Sequence, residues 1–178
     1  MIELLSLHDA IGQTLRTKVP GVLHVVAYPR LGETMDLPAL LFGLSTMGPG
    51  ADPGTGETGI RGHFQAVILV DQLDDDAPLQ AATLAARAVV ALRAEYWDLA
   101  FVDAPENVRA QPEDMPEGIE GVVAWSVAWE QEFRLGEGEW PWSNEPCGTL
   151  VFGVDPYKDP PGPDGFLSIE QIQAGKDP

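Results

Sequence analysis

The stretch EGVVAWSVAWEQEF, Glu120 to Phe133, decides the fold. Its odd positions are Val123, Trp125, Val127, Trp129, Gln131 and Phe133, and its even positions are Val122, Ala124, Ser126, Ala128, Glu130 and Glu132. Successive side chains on a strand point to opposite faces, so a period of two separates the sets physically. One face carries two tryptophans and a phenylalanine. The other starts small and ends acidic. A helix cannot sort the residues this way. The stretch therefore predicts a long strand in a sheet covered on one face, with Val123, Trp125, Val127, Trp129 and Phe133 buried.

Working outward, Leu4, Leu7, Ile11 and Leu15 form one helical stripe, with Ser6 as its expected N-cap. Val22 to Tyr28 and Pro38 to Ser45 read as strands, followed by a Gly/Pro-rich loop from Met47 to Gly59. In the next strand, His63 to Val70, the residues Phe64, Ala66, Ile68 and Val70 share a face. The alanine-rich segment from Pro78 to Tyr96 is the best helix of the chain, with an expected apolar stripe at Leu79, Ala82, Ala86, Val89 and Arg93, widened by Val90 and Leu92. Asp74, Asp75 and Asp76 precede it, where the positive end of a helix dipole stabilises carboxylates. Asn107 to Ala110 reads as a short strand and Gln111 to Gly121 as turns. Beyond Gly136 the composition shifts, and from Trp140 it is rich in Pro and Gly, with one more short strand expected at Thr149 to Val154 and a docking element at Phe166 to Ile172. This divides the chain into a domain, 1–140, and an extended arm, 141–178.

The chain has 178 residues, enough for one domain with a substantial core. Cys147 is its single cysteine, which rules out an intrachain disulfide and fits a reducing compartment. No basic, apolar leader is visible at Met1 to Ser6, and no apolar run has the length of a membrane span. The formal charge is −18, from 28 acids against 10 bases. Phosphate neutralisation by Lys and Arg supplies most non-specific nucleic-acid affinity, and the scattered bases here form no patch. Two meanings of the acidity stand side by side: solubility, or a surface that must let nucleic acid pass.

Each motif has a bland reading. Gly54, Gly56 and Gly59 fit G-x-G-x-x-G, but a dinucleotide site needs a helix after that loop, and a strand is expected here. The cluster Asp71, Asp74, Asp75 and Asp76 lacks EF-hand spacing. His8, His24 and His63 have no metal-ligand spacing to one another or to Cys147. Trp140 and Trp142 sit beside prolines, where the choice lies between an interface and local packing.

The order of segments, with "LPALLFGLS", "DPGTGE", "GHFQAVILVD" and "VVAWSVAWEQEFRLGEGEW", resembles the small tail-terminator and tail-completion proteins of long-tailed bacteriophages. The resemblance runs from about Leu4 to Trp140. Its most specific parts are Asp52 to Glu57 and the run from Trp125 to Glu137. It implies an α/β (α+β) fold: a mostly antiparallel or mixed sheet flanked by an N-terminal helix and one long Ala-rich helix. It implies a structural virion protein, with no catalytic residue, cofactor or metal. Six copies would form a ring at the head-proximal end of the tail tube, made in the host cytoplasm. The ring would touch the tube protein on one side and a head-completion or neck protein on the other. DNA would pass through without specific binding. Candidate interface residues are Asp52, Gly54, Gly56, Glu57, Trp140, Trp142 and Tyr157. Candidate channel residues are Asp74, Asp75, Asp76, Glu130 and Glu132, whereas a channel lined by Arg61, Arg109 and Arg134 would contradict free sliding. Two other classes remain open: a small-molecule binder or enzyme using the 47–59 loop as a lid, and an acidic inhibitor that mimics nucleic acid.

Overall fold

A computed structural model describes residues 2–29, 35–115 and 120–139, together with the strand residues Val151–Phe152 and Leu167–Ser168. The chain divides into two units, Met1–Glu139 and Trp140–Pro178. In the first, the elements run α1 (Ile2–Lys18), β1 (His24–Ala27), β2 (Ala39–Pro49), β3 (Thr58–Asp71), α2 (Ala77–Leu92), β4 (Glu106–Glu113) and β5 (Val122–Leu135). In the second, β6 (Val151–Phe152) pairs antiparallel with β7 (Leu167–Ser168). These short strands fall within the two stretches expected there. Trp140, Trp142 and Tyr157 lie outside the described residues.

The fold of the first unit is α+β. Its five strands form one mixed sheet in the order β1-β2-β3-β5-β4. Only the β1–β2 pair is parallel; the other three pairs are antiparallel. The centre is the β3–β5 pair, continuous from Thr58 against Leu135 to Asp71 against Val122. That unbroken register holds all odd residues of β5 on one face, as the alternation requires. Phe64 stands opposite Trp129, and the two rings stack with centroids 5.4 Å apart. Val127, Trp129 and Phe133 are fully buried, while Val123 and Trp125, near the start of the strand, are half-buried against the same core.

Both helices cover this face. From α1 it receives Leu7, Ile11 and Leu15, the stripe expected from the sequence. The helix starts before Ser6, which lies inside it and is not its N-cap. From α2 it receives Ala77, Ala81, Leu84, Ala85, Ala88, Ala91 and Leu92. That is not the stripe expected from the sequence: Leu79 is 67% exposed, Val90 72%, and Ala86 is also exposed. The physical reason is volume. The sheet already contributes Phe64, Trp129 and Phe133, so the helix lays its alanines against them and turns its larger residues outward. α2 also ends at Leu92, short of Tyr96.

Three boundaries move as well. β2 runs on to Pro49 and β3 begins at Thr58, so the Gly/Pro-rich connection shrinks to residues 50–57. β4 extends to Glu113 and takes up residues expected to be turns; pairing with β5 on one side stabilises it despite Pro112. Where its register shifts, between Glu106 and Arg109, Asn107 has φ +51. Asparagine is among the side chains that tolerate this left-handed region best.

Candidate functional site

The functional candidates lie in three places: the β2–β3 connection, the sheet face away from the helices, and the turn before α2. The connection is tightly built. The Gly50 N–H donates to the Gly59 carbonyl at 2.9 Å, closing the hairpin. A Cβ on Gly59 would lie 1.8 Å from the Ala51 carbonyl oxygen, so only glycine fits there. Gly56 has φ +88 and packs against Glu139, where a Cβ would meet the Glu139 backbone at 2.8 Å. Asp52 accepts the Gly54 N–H at 2.9 Å through Oδ1, and Glu57 accepts the Thr55 hydroxyl at 2.9 Å. The glycines thus serve close backbone approach, and the loop leads into strand β3. This is not the strand-loop-helix geometry a dinucleotide needs.

The even residues of β5 share the second sheet face with the odd residues of β3. Among the described residues no helix covers it. Near β1 and β2 it is apolar, with a groove of about 290 Å³ lined by Tyr28, Leu41, Gly43, Leu44 and Val67. Toward β4 it is polar, with a cleft of about 340 Å³ lined by His63, Gln65, Asn107, Arg109, Gln111 and Glu130. Glu132 and Glu130 are not bare carboxylates. Arg61 Nε donates to Glu132 Oε1 at 2.9 Å, and its Nη2 donates to the same oxygen at 2.5 Å. Arg61 Nη1 lies 4.0 Å from Glu130, and His63 Nδ1 3.7 Å from it. The hydrogen bonds from Arg61 hold the Glu132 carboxyl below its usual range, and the same bonds raise the Arg61 guanidinium. The face that reads as acidic along β5 is therefore charge-compensated from β3. This follows from antiparallel register, which sets Arg61 opposite Glu132 and His63 opposite Glu130. Arg109 also lines the cleft, while Arg134 is held by Asp103 at 3.2 Å and by the Ala100 carbonyl. Chemically, the face offers amide, guanidinium and carboxylate groups to a polar partner, with both signs interspersed.

Asp74, Asp75 and Asp76 are exposed in the turn before α2. Asp76 is the N-cap residue by position, yet its side chain makes no capping bond. The structure sets this cluster apart from Glu130 and Glu132. The turn follows Asp71, which pairs with Val122, and from Val122 to Glu132 β5 rises roughly 33 Å.

One constellation escapes a reading of the sequence. Gln131 is fully buried among the aromatic residues. Its Oε1 accepts the indole N–H of Trp97 at 2.9 Å and of Trp129 at 3.3 Å. Its Nε2 donates to the Asp103 carbonyl at 2.7 Å and the Glu95 carbonyl at 3.3 Å. The amide thereby ties the connection after α2 to the centre of the sheet. The available signal was its place on the tryptophan face, where a lone polar residue needs partners.

Among the described residues, no three His, Cys, Asp or Glu side chains converge as a metal site, and no helix is long and apolar enough to cross a membrane. No protein-family model matches the chain, and no curated protein matches it. Among solved structures, one whose name carries no functional description aligns at a TM-score of 0.45 and 10% identity, over 75% of this chain and 94% of its own.

Proposed function

We propose that this chain is a structural protein of a long-tailed bacteriophage virion, a subunit of a ring that caps the head-proximal end of the tail tube. The ring ends tube polymerisation and joins the tail to the head or neck. The observation that carries the reading is the order of segments on which the resemblance rests. The helix, the strand "LPALLFGLS", the "DPGTGE" connection, the strand "GHFQAVILVD", the alanine-rich helix and the Trp125-to-Glu137 run follow one another in one domain, and residues flanking the two most specific runs bring their ends together. Thr58 pairs with Leu135, and Gly56 packs on Glu139. The connection and the end of β5 thus form one closely packed corner, which in this reading is the contact to a neighbouring subunit or to the tube. The partners in this reading are other copies of the chain, the tube protein and a neck protein, with DNA passing through unbound.

Negative-stain electron microscopy of the purified protein, alone and mixed with tail tubes, tests this. Six-fold rings, or caps at one end of each tube, are expected. Particles that neither form rings nor mark tube ends would overturn the proposal.

A further inference from the structure

α2 is apolar on both sides, and among the described residues only one side is buried. The buried residues centre on Ala81, Leu84, Ala88 and Ala91. Diametrically opposite, at 100° per residue, lie Leu79, Thr83, Ala86, Val90 and Arg93. Their spacing alternates four and three, the narrow seam along which two helices pack. Leu79 is 67% exposed and Val90 72%, and Leu73 at 89% and Tyr96 at 52% flank the two ends of the helix. A helix that is hydrophobic all round is ordinarily buried all round. This one carries a single charged residue, Arg87, and its Nη1 is already bonded to the Pro20 carbonyl.

We propose that the outer face of α2 packs antiparallel against the same face of a second copy of this chain, about a two-fold axis at the level of Leu84 and Ala85. The sequence is self-complementary about that point. The pairing sets Leu79 against Val90, Thr83 against Ala86, and Asp76 against Arg93, each pair occurring twice because a two-fold contact is reciprocal. It also brings Leu73 toward Tyr96. Small residues at the centre, Thr83 and Ala86, allow close approach, and the Thr83 hydroxyl is already satisfied by the Leu79 carbonyl at 2.7 Å. A groove of about 260 Å³ between α2 and Gly21, lined by Asp76, Leu79, Thr83, Leu84 and Arg87, flanks this seam beside Leu79 and Thr83.

Charge selects this occupant and this direction. The Asp76 carbonyl accepts the Gln80 N–H, but its side chain makes no capping bond, so the carboxylate is available to the partner's guanidinium. Within one chain α2 spans about 24 Å, too far for Asp76 and Arg93 to meet. Antiparallel pairing brings them together and opposes the helix dipoles favourably. A parallel pair would instead set the Asp74 to Asp76 cluster of one copy against that of the other. A two-fold contact does not close a six-fold ring, so this inference is independent of the proposed ring.

Sedimentation of the full chain across the micromolar range tests it, with circular dichroism melting to confirm that each variant folds. An even-numbered species is expected, and Val90→Glu should weaken the pairing by at least about tenfold, halving the mass without unfolding the exposed helix. Asp76→Arg and Arg93→Asp should each weaken association, and the two together in one chain should restore it, which a merely structural defect would not do. A monomer throughout the range overturns the inference. So does a dimer that Val90→Glu leaves intact, or a double variant as weak as the singles. A six-subunit ring whose mass Val90→Glu does not change overturns the pairing while leaving the ring standing.

Discussion

The two faces of the central sheet are built on opposite terms. On the helix side, Phe64, Trp129 and Phe133 meet Leu7, Ile11, Leu84 and the alanines of α2, and Gln131, fully buried among them, makes four hydrogen bonds. On the other side, Arg61 pairs with Glu132 and approaches Glu130 at the partly exposed surface. Burial makes each group on the first face expensive to change. On the second face the charged groups are partly exposed and cheaper to change, although Leu69, Ala124 and Ser126 on that face are buried. Substitutions of Trp129, Gln131 and Phe133 should therefore cost more stability than substitutions of Glu130 and Glu132 on the other face.

The sharpest break is at Trp129, 2% exposed. Trp129→Ala should cost about 3–5 kcal/mol in urea unfolding, whereas half-buried Trp125, on the same face, should lose about half as much. Equal losses would mean that the two ends of the strand are equally packed. Next comes Gln131→Leu. It keeps the volume but strands two indole N–H groups and two carbonyls, and should cost about 2–3 kcal/mol although it adds an apolar residue to a core. A neutral or stabilised variant would show that the amide network contributes nothing net.

A smaller effect concerns His8, where α1 meets the edge of the sheet. Its ring stacks on Phe42 with centroids 5.6 Å apart, its Nε2 lies 3.0 Å from the Tyr28 hydroxyl, and its Nδ1 has no partner among the described residues. The same Tyr28 hydroxyl accepts the Leu44 N–H at 3.1 Å. Burial lowers the His8 pKa from 6.5, against an opposing pull from Asp9. The unfolded chain then binds the proton more readily than the folded one. The stability due to neutral His8 is present above about pH 6.5 and is lost as pH falls through the folded value. Thermal melting between pH 7.5 and about 5 should fall for the native chain, and fall less for His8→Phe.

The smallest effect is expected on the open face. Glu132→Gln removes the partner of Arg61 in solvent, where such pairs contribute little. The Glu132 pKa is depressed, so its contribution is present above the unfolded carboxyl value and lost as pH falls through the folded one. The variant should melt close to the native chain at neutral pH, and the small difference should shrink further in high salt. A large loss would place Glu132 with the core instead of with the surface.

The sequence by itself determined the alternation of β3 and β5, the stripe of α1 and the one-sided covering of the sheet. Those follow from periods of 2 and 3.6 that the backbone imposes on every chain. Tertiary structure alone decided which side of α2 is buried. A helix apolar all round has two equivalent stripes by periodicity, and only the aromatic volume offered by the sheet selects the alanine side. It also decided the state of the acids on β5. Glu132 meets Arg61 across a separation of 71 residues, through register that no local pattern encodes. The same holds for Gln131, whose partners Glu95, Trp97 and Asp103 lie in a connection of no regular period. Local geometry is written in the order of residues; which distant groups share a face depends on how the strands align.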